Sequence, residues 1–76
     1  MRVQILLYDG CDELDVVGPF EVLRIAAHAG AGIHAELTAV ESVSEVTGAH
    51  GLRLHSESRL DIAVPPDVLV VPGAAG

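Results

Sequence analysis

Two runs of apolar residues, the first interrupted only by Gln4 and each closed by a turn signal, predict buried strands of a parallel sheet. The first run covers Val3–Tyr8 and ends at Asp9-Gly10, and the second covers Val68–Val71 and ends at Pro72-Gly73. Continuous rather than alternating apolarity is typical of strands that are covered on both faces. Both runs are therefore predicted to be central strands of the sheet.

Shorter segments between these runs predict a strand with one open face and a β-hairpin. Apolar residues occupy the odd positions of Ile33–Val40, while positions 34, 36 and 38 are polar, and this alternation is typical of a half-covered strand. Ser44–Thr47 and Leu52–His55 flank a short loop that contains glycine, which favours a hairpin. Asp61–Asp67 contains two adjacent prolines and is predicted to be a connection.

One helix is predicted between the first two strands. Gly18 precedes Pro19, and a residue before proline avoids the helical region of backbone space. Proline is favoured at the first position of a helix, so the main helix is predicted to begin near Pro19. We expect it to end near Ala29, because Gly30 supplies a C-terminal stop.

The spacing within this helix predicts which side faces the sheet. Its charged residues recur at intervals of three and four, which indicates one solvated stripe formed by Glu21, Arg24 and His28. The apolar residues are expected to form the buried side, and they are Val22, Leu23, Ile25, Ala26 and Ala27.

The order strand, helix, strand, hairpin, strand predicts a right-handed βαβ unit at the start of a parallel sheet. A parallel sheet needs helices on both of its faces, and the pattern predicts one clear helix. We therefore expect an α/β fold in which residues 1–76 form the N-terminal part of a single larger domain, with no second domain in the chain.

Composition narrows the function classes. The net charge of −7 argues against a nucleic-acid surface, which needs a basic stripe. The one cysteine, Cys11, excludes an internal disulfide and favours a reducing compartment. The apolar run near the N-terminus is too short for a signal-peptide core or a membrane span. We expect a cytoplasmic protein that contacts neither membrane nor nucleic acid through this segment.

Asp15 is the first candidate for chemistry. It follows the first strand at the predicted strand-to-helix corner, where α/β folds place their functional groups. A carboxyl group there can act as an acid or a base, or can tune a thiol by a hydrogen bond. The alternative is a capping or turn role, for which Asp12 and Glu13 are equally placed.

Cysteine and histidine supply no further candidate. Cys11 has acidic neighbours on both sides, which disfavour a thiolate, so it is predicted to be a small, partly buried filler. The four histidines are predicted to be surface residues rather than metal ligands, and they are His28, His34, His50 and His55. We expect no metal and no cofactor.

Two glycine-containing segments are candidates for ligand-binding loops. Gly30–Gly32 follows a helix and precedes a strand, the reverse of the order in a dinucleotide-binding fingerprint. The segment V-V-P-G-A-A-G ends a strand with small residues, so that backbone N–H groups could face an anion, as in an oxyanion hole. An ordinary strand-ending turn is the alternative.

The chain resembles the ThiJ/PfpI superfamily of class I glutamine amidotransferase-like domains, and within it the isocyanide hydratase-like branch. The matching stretches are I-L-L-Y-D-G-C-D-E-L-D-V-V-G-P-F-E-V-L, T-G-A-H-G-L-R-L and D-V-L-V-V-P-G. The resemblance implies a flavodoxin-like three-layer α/β/α sandwich with a parallel sheet. It also implies a small-molecule substrate and a homodimer.

The same resemblance implies roles for three residues. An acidic residue at the position of Asp15 would contact a reactive cysteine on a strand-to-helix turn that follows V-P-G, and the backbone at Gly73 and Ala74 would form the oxyanion pocket. Ala74 replaces the usual second glycine, and the chain ends before the nucleophile. The expected parent is a cysteine-dependent hydratase or hydrolase, inactive in these 76 residues alone. The alternative is the ligand-sensing domain of a helix-turn-helix transcriptional regulator.

Overall fold

A four-stranded parallel sheet with one helix on it forms the frame of the structure. The structure is a computed structural model that describes residues 1–42 and 44–74. In chain order the elements are β1 (Arg2–Leu7), α1 (Glu13–His28), β2 (His34–Ala39), β3 (Glu45–Thr47), β4 (Arg53–His55), β5 (Ser58–Arg59) and β6 (Val68–Val70). The sheet has the order β5-β2-β1-β6, and the predicted α/β fold with a parallel sheet is confirmed.

Strand β1 is the centre of the sheet, as its continuous apolar run predicted. Ile5 lies opposite Leu37 of β2 on one side and Val70 of β6 on the other, and its side chain is completely buried. Within the described residues β6 pairs with β1 alone, so Val68 stays exposed. The second apolar run therefore forms an edge strand here rather than the predicted central strand.

Helix α1 begins at Glu13, so the prediction of a start near Pro19 is wrong. Asp12 caps the helix by accepting a hydrogen bond from Leu14 N (3.1 Å), and Pro19 lies inside the helix. A proline at this point removes the bond to the carbonyl of Asp15 and crowds that carbonyl. The first turn nevertheless stays helical, because Glu13 and Asp15 in that turn accept hydrogen bonds from backbone N–H groups of other segments.

The predicted C-terminal end of α1 is confirmed. Ala29 is the C-cap, and Gly30 adopts the left-handed conformation with φ of 88°. Gly30 N donates to the carbonyl of Ala27 and Ala31 N donates to that of Ala26, both at 3.1 Å. These two bonds form a Schellman motif, in which glycine is preferred because it has no Cβ.

The buried side of α1 differs in part from the prediction. Val16 is completely buried, and Phe20 and Leu23 pack against the same core cluster. Val22 and Ile25, predicted to be buried, are 66% and 61% exposed. Residues 16, 20 and 23 follow the spacing of one helix face, which turns Val22 and Ile25 away from the sheet. No helix in the described residues is long and apolar enough to cross a membrane.

The predicted hairpin is confirmed, and one further strand was not predicted. Strands β3 and β4 pair antiparallel, with Val46 opposite Leu54. The added strand, β5, has only two residues and lies parallel to β2, where it pairs with Thr38 and Ala39. A segment this short carries no periodicity, so the pattern of apolar residues could not indicate it.

Side chains complete the edge of β2 where β5 does not reach. Arg24 Nε donates to the carbonyl of Ala35 (2.8 Å), and Leu37 N donates to Glu57 Oε1 (3.0 Å). Arg24 Nη2 contacts both Glu57 oxygens, at 2.8 and 2.9 Å, and its guanidinium lies 4.4 Å from the ring centre of Phe20. Arg24 is thus a half-buried link between helix and sheet rather than part of a solvated stripe.

The contacts of Glu57 make its contribution to stability depend on pH. Partial burial raises the pKa of Glu57, but the hydrogen bond from Leu37 N and the adjacent Arg24 outweigh burial, so that the pKa lies below its ordinary value of 4.5. A carboxyl group with a lowered pKa stabilises the fold above the unfolded pKa, and this contribution is lost as pH falls through the folded pKa.

We predict that Glu57→Ala lowers the free energy of unfolding at pH 7 by about 1–2 kcal/mol, because Leu37 N loses its acceptor and Arg24 its partner. Urea denaturation measures this difference, which should shrink as pH falls below 4.5. Glu45→Ala is the matched control, because Glu45 is exposed and lies 4.0 Å from Arg53. Equal losses in the two variants would contradict the prediction.

Candidate functional site

Three segments meet at the carboxyl end of β1, and we call their meeting point the junction. They are the loop from β1 to α1 (residues 8–12), the hairpin tip (residues 47–52) and the segment after β6 (residues 71–74). Asp12 N donates to the carbonyl of Gly73 at 2.7 Å, beside an antiparallel bridge between Cys11 and Ala74. The segment after β6 is therefore attached directly to the loop that precedes α1.

Asp15 lies at the junction, but inside the helix rather than at a corner before it. It is exposed, belongs to the first turn of α1, and accepts a hydrogen bond from Gly73 N through Oδ2 (3.0 Å). A Cβ at Gly73 would lie 3.2 Å from that oxygen, so glycine favours the close approach. Within the described residues no donor is bonded to Asp15 Oδ1, and this oxygen can accept a bond from a ligand or a thiol.

The structure places the three site candidates, Asp15, Gly73 and Ala74, in one region. The backbone N–H groups of Gly73 and Ala74 have different surroundings there. The Gly73 N–H is engaged by Asp15. The Gly73 carbonyl accepts from Asp12, and in a planar trans peptide the following N–H points the opposite way. The Ala74 N–H is therefore directed away from Asp12. No described residue other than glycine has a positive φ, so alanine at position 74 is unstrained.

Tyr8 is a site residue that the sequence reasoning missed. Its hydroxyl donates to the carbonyl of Pro72 at 2.6 Å, and its half-buried ring packs against the core cluster. In the sequence Tyr8 is the last residue of an apolar run. The residues of that run do not indicate whether its hydroxyl binds the backbone or faces water.

Glu13 is the second residue that the sequence reasoning undervalued. Its Oε2 accepts from His50 N (2.7 Å) and Leu52 N (3.3 Å), and its Oε1 lies 3.0 Å from His50 Nδ1. Burial raises the pKa of Glu13, but hydrogen bonds from its own backbone N–H, from His50 and from Leu52 outweigh burial and hold the pKa at about 2. Glu13 thus fastens the hairpin tip to the start of α1.

Backbone contacts and a glycine complete this attachment. Thr47 N donates to Asp9 Oδ1 (3.0 Å), and Gly10 N donates to the carbonyl of Thr47 (2.9 Å). A Cβ at Gly48 would lie 2.5 Å from the Glu13 side chain, closer than two carbons can approach without movement. Gly48 therefore leaves the space that the Glu13 carboxylate occupies.

The sequence left open which of three acidic residues caps the helix and which is available for chemistry. In the structure Asp12 caps α1, Glu13 binds the hairpin tip, and Asp15 binds the segment after β6. Within the described residues Asp12 Oδ2 and Asp15 Oδ1 both lack a hydrogen-bond donor, and of these two residues Asp15 is the exposed one.

The structure places the cysteine in the core and the histidines at the surface. Cys11 is completely buried in the core cluster with Leu7 and Val16, which agrees with a filler role, although only partial burial was predicted. All four histidines are exposed, and only His50 takes part in the junction, through its contact with Glu13. Among residues 1–42 and 44–74, no three His, Cys, Asp or Glu side chains group together as metal ligands.

Comparison with solved structures identifies the class of fold. Toxoplasma gondii DJ-1, oxidized, superimposes with a TM-score of 0.78 at 19% identity, over 96% of this chain and 38% of that one. Drosophila melanogaster DJ-1beta gives 0.80 at 22% identity, over 99% and 39%. An AraC family transcriptional regulator from Pseudomonas putida gives 0.79 at 23% identity, over 97% and 47%.

Two of these structures are DJ-1 proteins, and the chain shares the fold of all three. It spans less than half the length of the three proteins. No family model matches the chain, and a search of curated proteins finds no match. The structural similarity therefore establishes the fold. The groups at the junction are the observations that bear on activity.

We predict that Glu13→Gln loosens the hairpin tip, because a neutral amide is a weaker acceptor than a carboxylate. Amide hydrogen exchange at His50 and Leu52 should become about 3–10-fold faster near pH 7. The effect should diminish as pH falls from 4.5 towards 2, where the wild-type carboxylate itself becomes protonated.

Glu21→Gln is the control for this variant, since Glu21 is an exposed glutamate on the same helix. It should leave exchange at both amides unchanged. Unchanged exchange in Glu13→Gln, or equal acceleration in both variants, would show that Glu13 does not hold the hairpin tip.

Proposed function

We propose that this chain forms the N-terminal part of a ThiJ/PfpI-type domain, in the isocyanide hydratase-like branch. The junction then supplies one half of the active site of a cytoplasmic, cysteine-dependent hydratase or hydrolase that acts on small molecules. The observation that carries this proposal is the contact between Asp15 Oδ2 and Gly73 N (3.0 Å). It joins an acid in the first turn of α1 to the backbone segment that follows β6.

In this proposal the chain's own groups prepare the site for a thiol that another part of the protein supplies. Asp15 would hydrogen-bond that thiol through its free Oδ1, hold its proton or pass a proton to the substrate. The Ala74 N–H would donate to the negative charge that develops on the substrate, in the manner of an oxyanion hole. The Gly73 N–H would keep the Asp15 carboxylate in place.

The nucleophile is not expected among these 76 residues. Cys11 is the one cysteine in the chain, and its side chain has no exposed surface. A thiolate nucleophile must reach its substrate. The chain alone is therefore expected to be inactive, and Cys11 does not replace the missing cysteine.

A homodimer is the proposed assembly, and the outer side of α1 supports it. Leu14, Val17, Val22 and Ile25 are exposed there, and nothing lies within 4 Å of a Cβ built at Gly18 between them. Apolar side chains around a small residue allow a second helix to approach closely, and burying them would stabilise a pair.

We predict that the full-length protein sediments as a dimer and that Val22→Glu together with Ile25→Glu weakens dimerisation at least about tenfold, since buried charges lack partners. Analytical ultracentrifugation measures the change. Replacing Glu21 and His28, on the same helix, by glutamine is the control. A wild-type monomer, or a charged variant that dimerises as tightly as wild type, would oppose this assembly.

A second candidate function is a ligand-sensing domain of a helix-turn-helix transcriptional regulator. The similarity to the AraC family transcriptional regulator supports it, because that match is as good as those to the two DJ-1 proteins. The coding sequence after residue 76 separates the two candidates. A cysteine at a strand-to-helix turn favours the enzyme, and a basic helical segment favours the regulator.

We predict that the full-length protein adds water to isocyanides or to glyoxals, and that Asp15→Asn lowers kcat/KM by about 10²–10⁴, because proton transfer is lost. Initial rates on isocyanides and glyoxals measure this. Glu41→Gln, an exposed change outside the junction, should keep wild-type rates. Wild-type rates in Asp15→Asn would contradict the role of Asp15, and activity of the 76-residue chain that survives Cys11→Ala would contradict the role of an external cysteine.

A further inference from the structure

The peptide unit that joins Pro72 to Gly73 is held at both ends by side chains. Its carbonyl accepts a hydrogen bond from the Tyr8 hydroxyl at 2.6 Å, and its N–H donates to Asp15 Oδ2 at 3.0 Å. The two groups belong to one rigid plane and point in opposite directions. Tyr8 and Asp15 therefore act on the same plane from opposite sides.

The position of Tyr8 makes it a firm anchor. Its ring packs against the core cluster of Ile5, Leu7 and Val16, at the end of the central strand. Pro72, whose carbonyl it binds, is buried, and because its ring fixes φ, the peptide plane can turn about Pro72 only through ψ. A short bond between two such restricted groups limits rotation of the plane, which in turn limits where the Gly73 N–H can point.

The orientation of this plane determines that of the next one. The Gly73 carbonyl accepts from Asp12 N at 2.7 Å, so the Ala74 N–H points the other way. If the first plane turned, Gly73 would have to rotate about its φ, and this residue has no Cβ to resist that rotation. The hydroxyl of Tyr8 supplies a restraint that the backbone at Gly73 lacks.

We propose that Tyr8 is a positioning residue for the Asp15 site. Its hydroxyl fixes the Pro72–Gly73 plane, so that the Gly73 N–H meets Asp15 and the Ala74 N–H faces the substrate. The catalytic part of this inference rests on the proposed function, whereas the geometric part stands without it. In this role Tyr8 acts through the Pro72 carbonyl that it binds.

The test is Tyr8→Phe in the full-length protein, since this change removes one hydroxyl and keeps the ring. Exchange of the Gly73 amide, measured by NMR relative to the core amide of Ile5, should become about 3–10-fold faster. The ratio to Ile5 separates a local effect from general destabilisation. If the protein is a hydratase or hydrolase, kcat should fall about 5–50-fold and KM should change less than about twofold.

The control is Thr38→Val, which also removes a hydroxyl. Thr38 is fully buried in β2, and its Oγ1 lies 2.9 Å from Ser58 Oγ, away from the junction. This variant should lose stability without accelerating Gly73 exchange relative to Ile5, and its kcat should stay at the wild-type value. Acceleration at Gly73 equal to that in Tyr8→Phe would overturn the inference.

A double-mutant cycle with Asp15→Asn tests whether the two side chains act on one plane. Coupled groups give non-additive effects, so adding Tyr8→Phe to Asp15→Asn should change Gly73 exchange less than Tyr8→Phe does in the wild type. Additive effects, or unchanged exchange in Tyr8→Phe, would overturn the positioning role. Coupled exchange in a protein without activity on small electrophiles would support the positioning of Gly73 and reject the proposed function.

Discussion

Three carboxylates lie at the start of α1, and each accepts hydrogen bonds from different donors. The junction depends on this arrangement. Asp12, Glu13 and Asp15 would repel one another if they shared a site, although the positive end of the helix dipole favours acids there. Asp12 takes Leu14 N of the helix itself, and the other two take donors from different loops. Because each carboxylate binds its own donors, the hairpin tip and the segment after β6 are both attached to the first turn of α1.

This attachment explains why the helix continues through Pro19. Proline in the second turn removes one bond from the first, at a cost of roughly 3 kcal/mol in an isolated helix. Here Glu13 and Asp15 accept bonds from the hairpin tip and from Gly73. Those contacts fix the first turn from outside. Local propensity favours a break before Pro19, and tertiary contacts override it.

The elements that could be predicted from the sequence are those governed by local pattern. Continuous apolarity indicated β1, and Gly30 indicated the end of α1, because burial of both faces and a left-handed cap each restrict the residue types allowed. The exposure of Val22 and Ile25 could not be read in the same way. Seven of the eleven residues from Val16 to Ala26 are apolar, so periodicity leaves the buried face ambiguous.

The position of Asp15 near the end of β1 could be predicted from the sequence. The contacts made by Glu13 and Tyr8 could not. Asp15 follows from its place after a strand, and Gly73 and Ala74 from the end of another. Glu13 and Tyr8 act across more than thirty residues of sequence, on His50 and Pro72. A single sequence contains no signal for such pairs, because neither partner has a local pattern that its distant role requires.

The acidity of the junction sets a condition on any nucleophile that meets Asp15. A thiolate beside a carboxylate is disfavoured by like charge, unless donors offset that charge or the carboxyl group holds the proton. Glu13 already binds donors of the hairpin tip, so its charge is partly compensated. Asp15 has one described donor, Gly73 N, and an exposed oxygen to share. Under the proposed function, a proton shared between Asp15 and a thiol from elsewhere in the protein would satisfy both groups, and Asp15 could then pass that proton to the product.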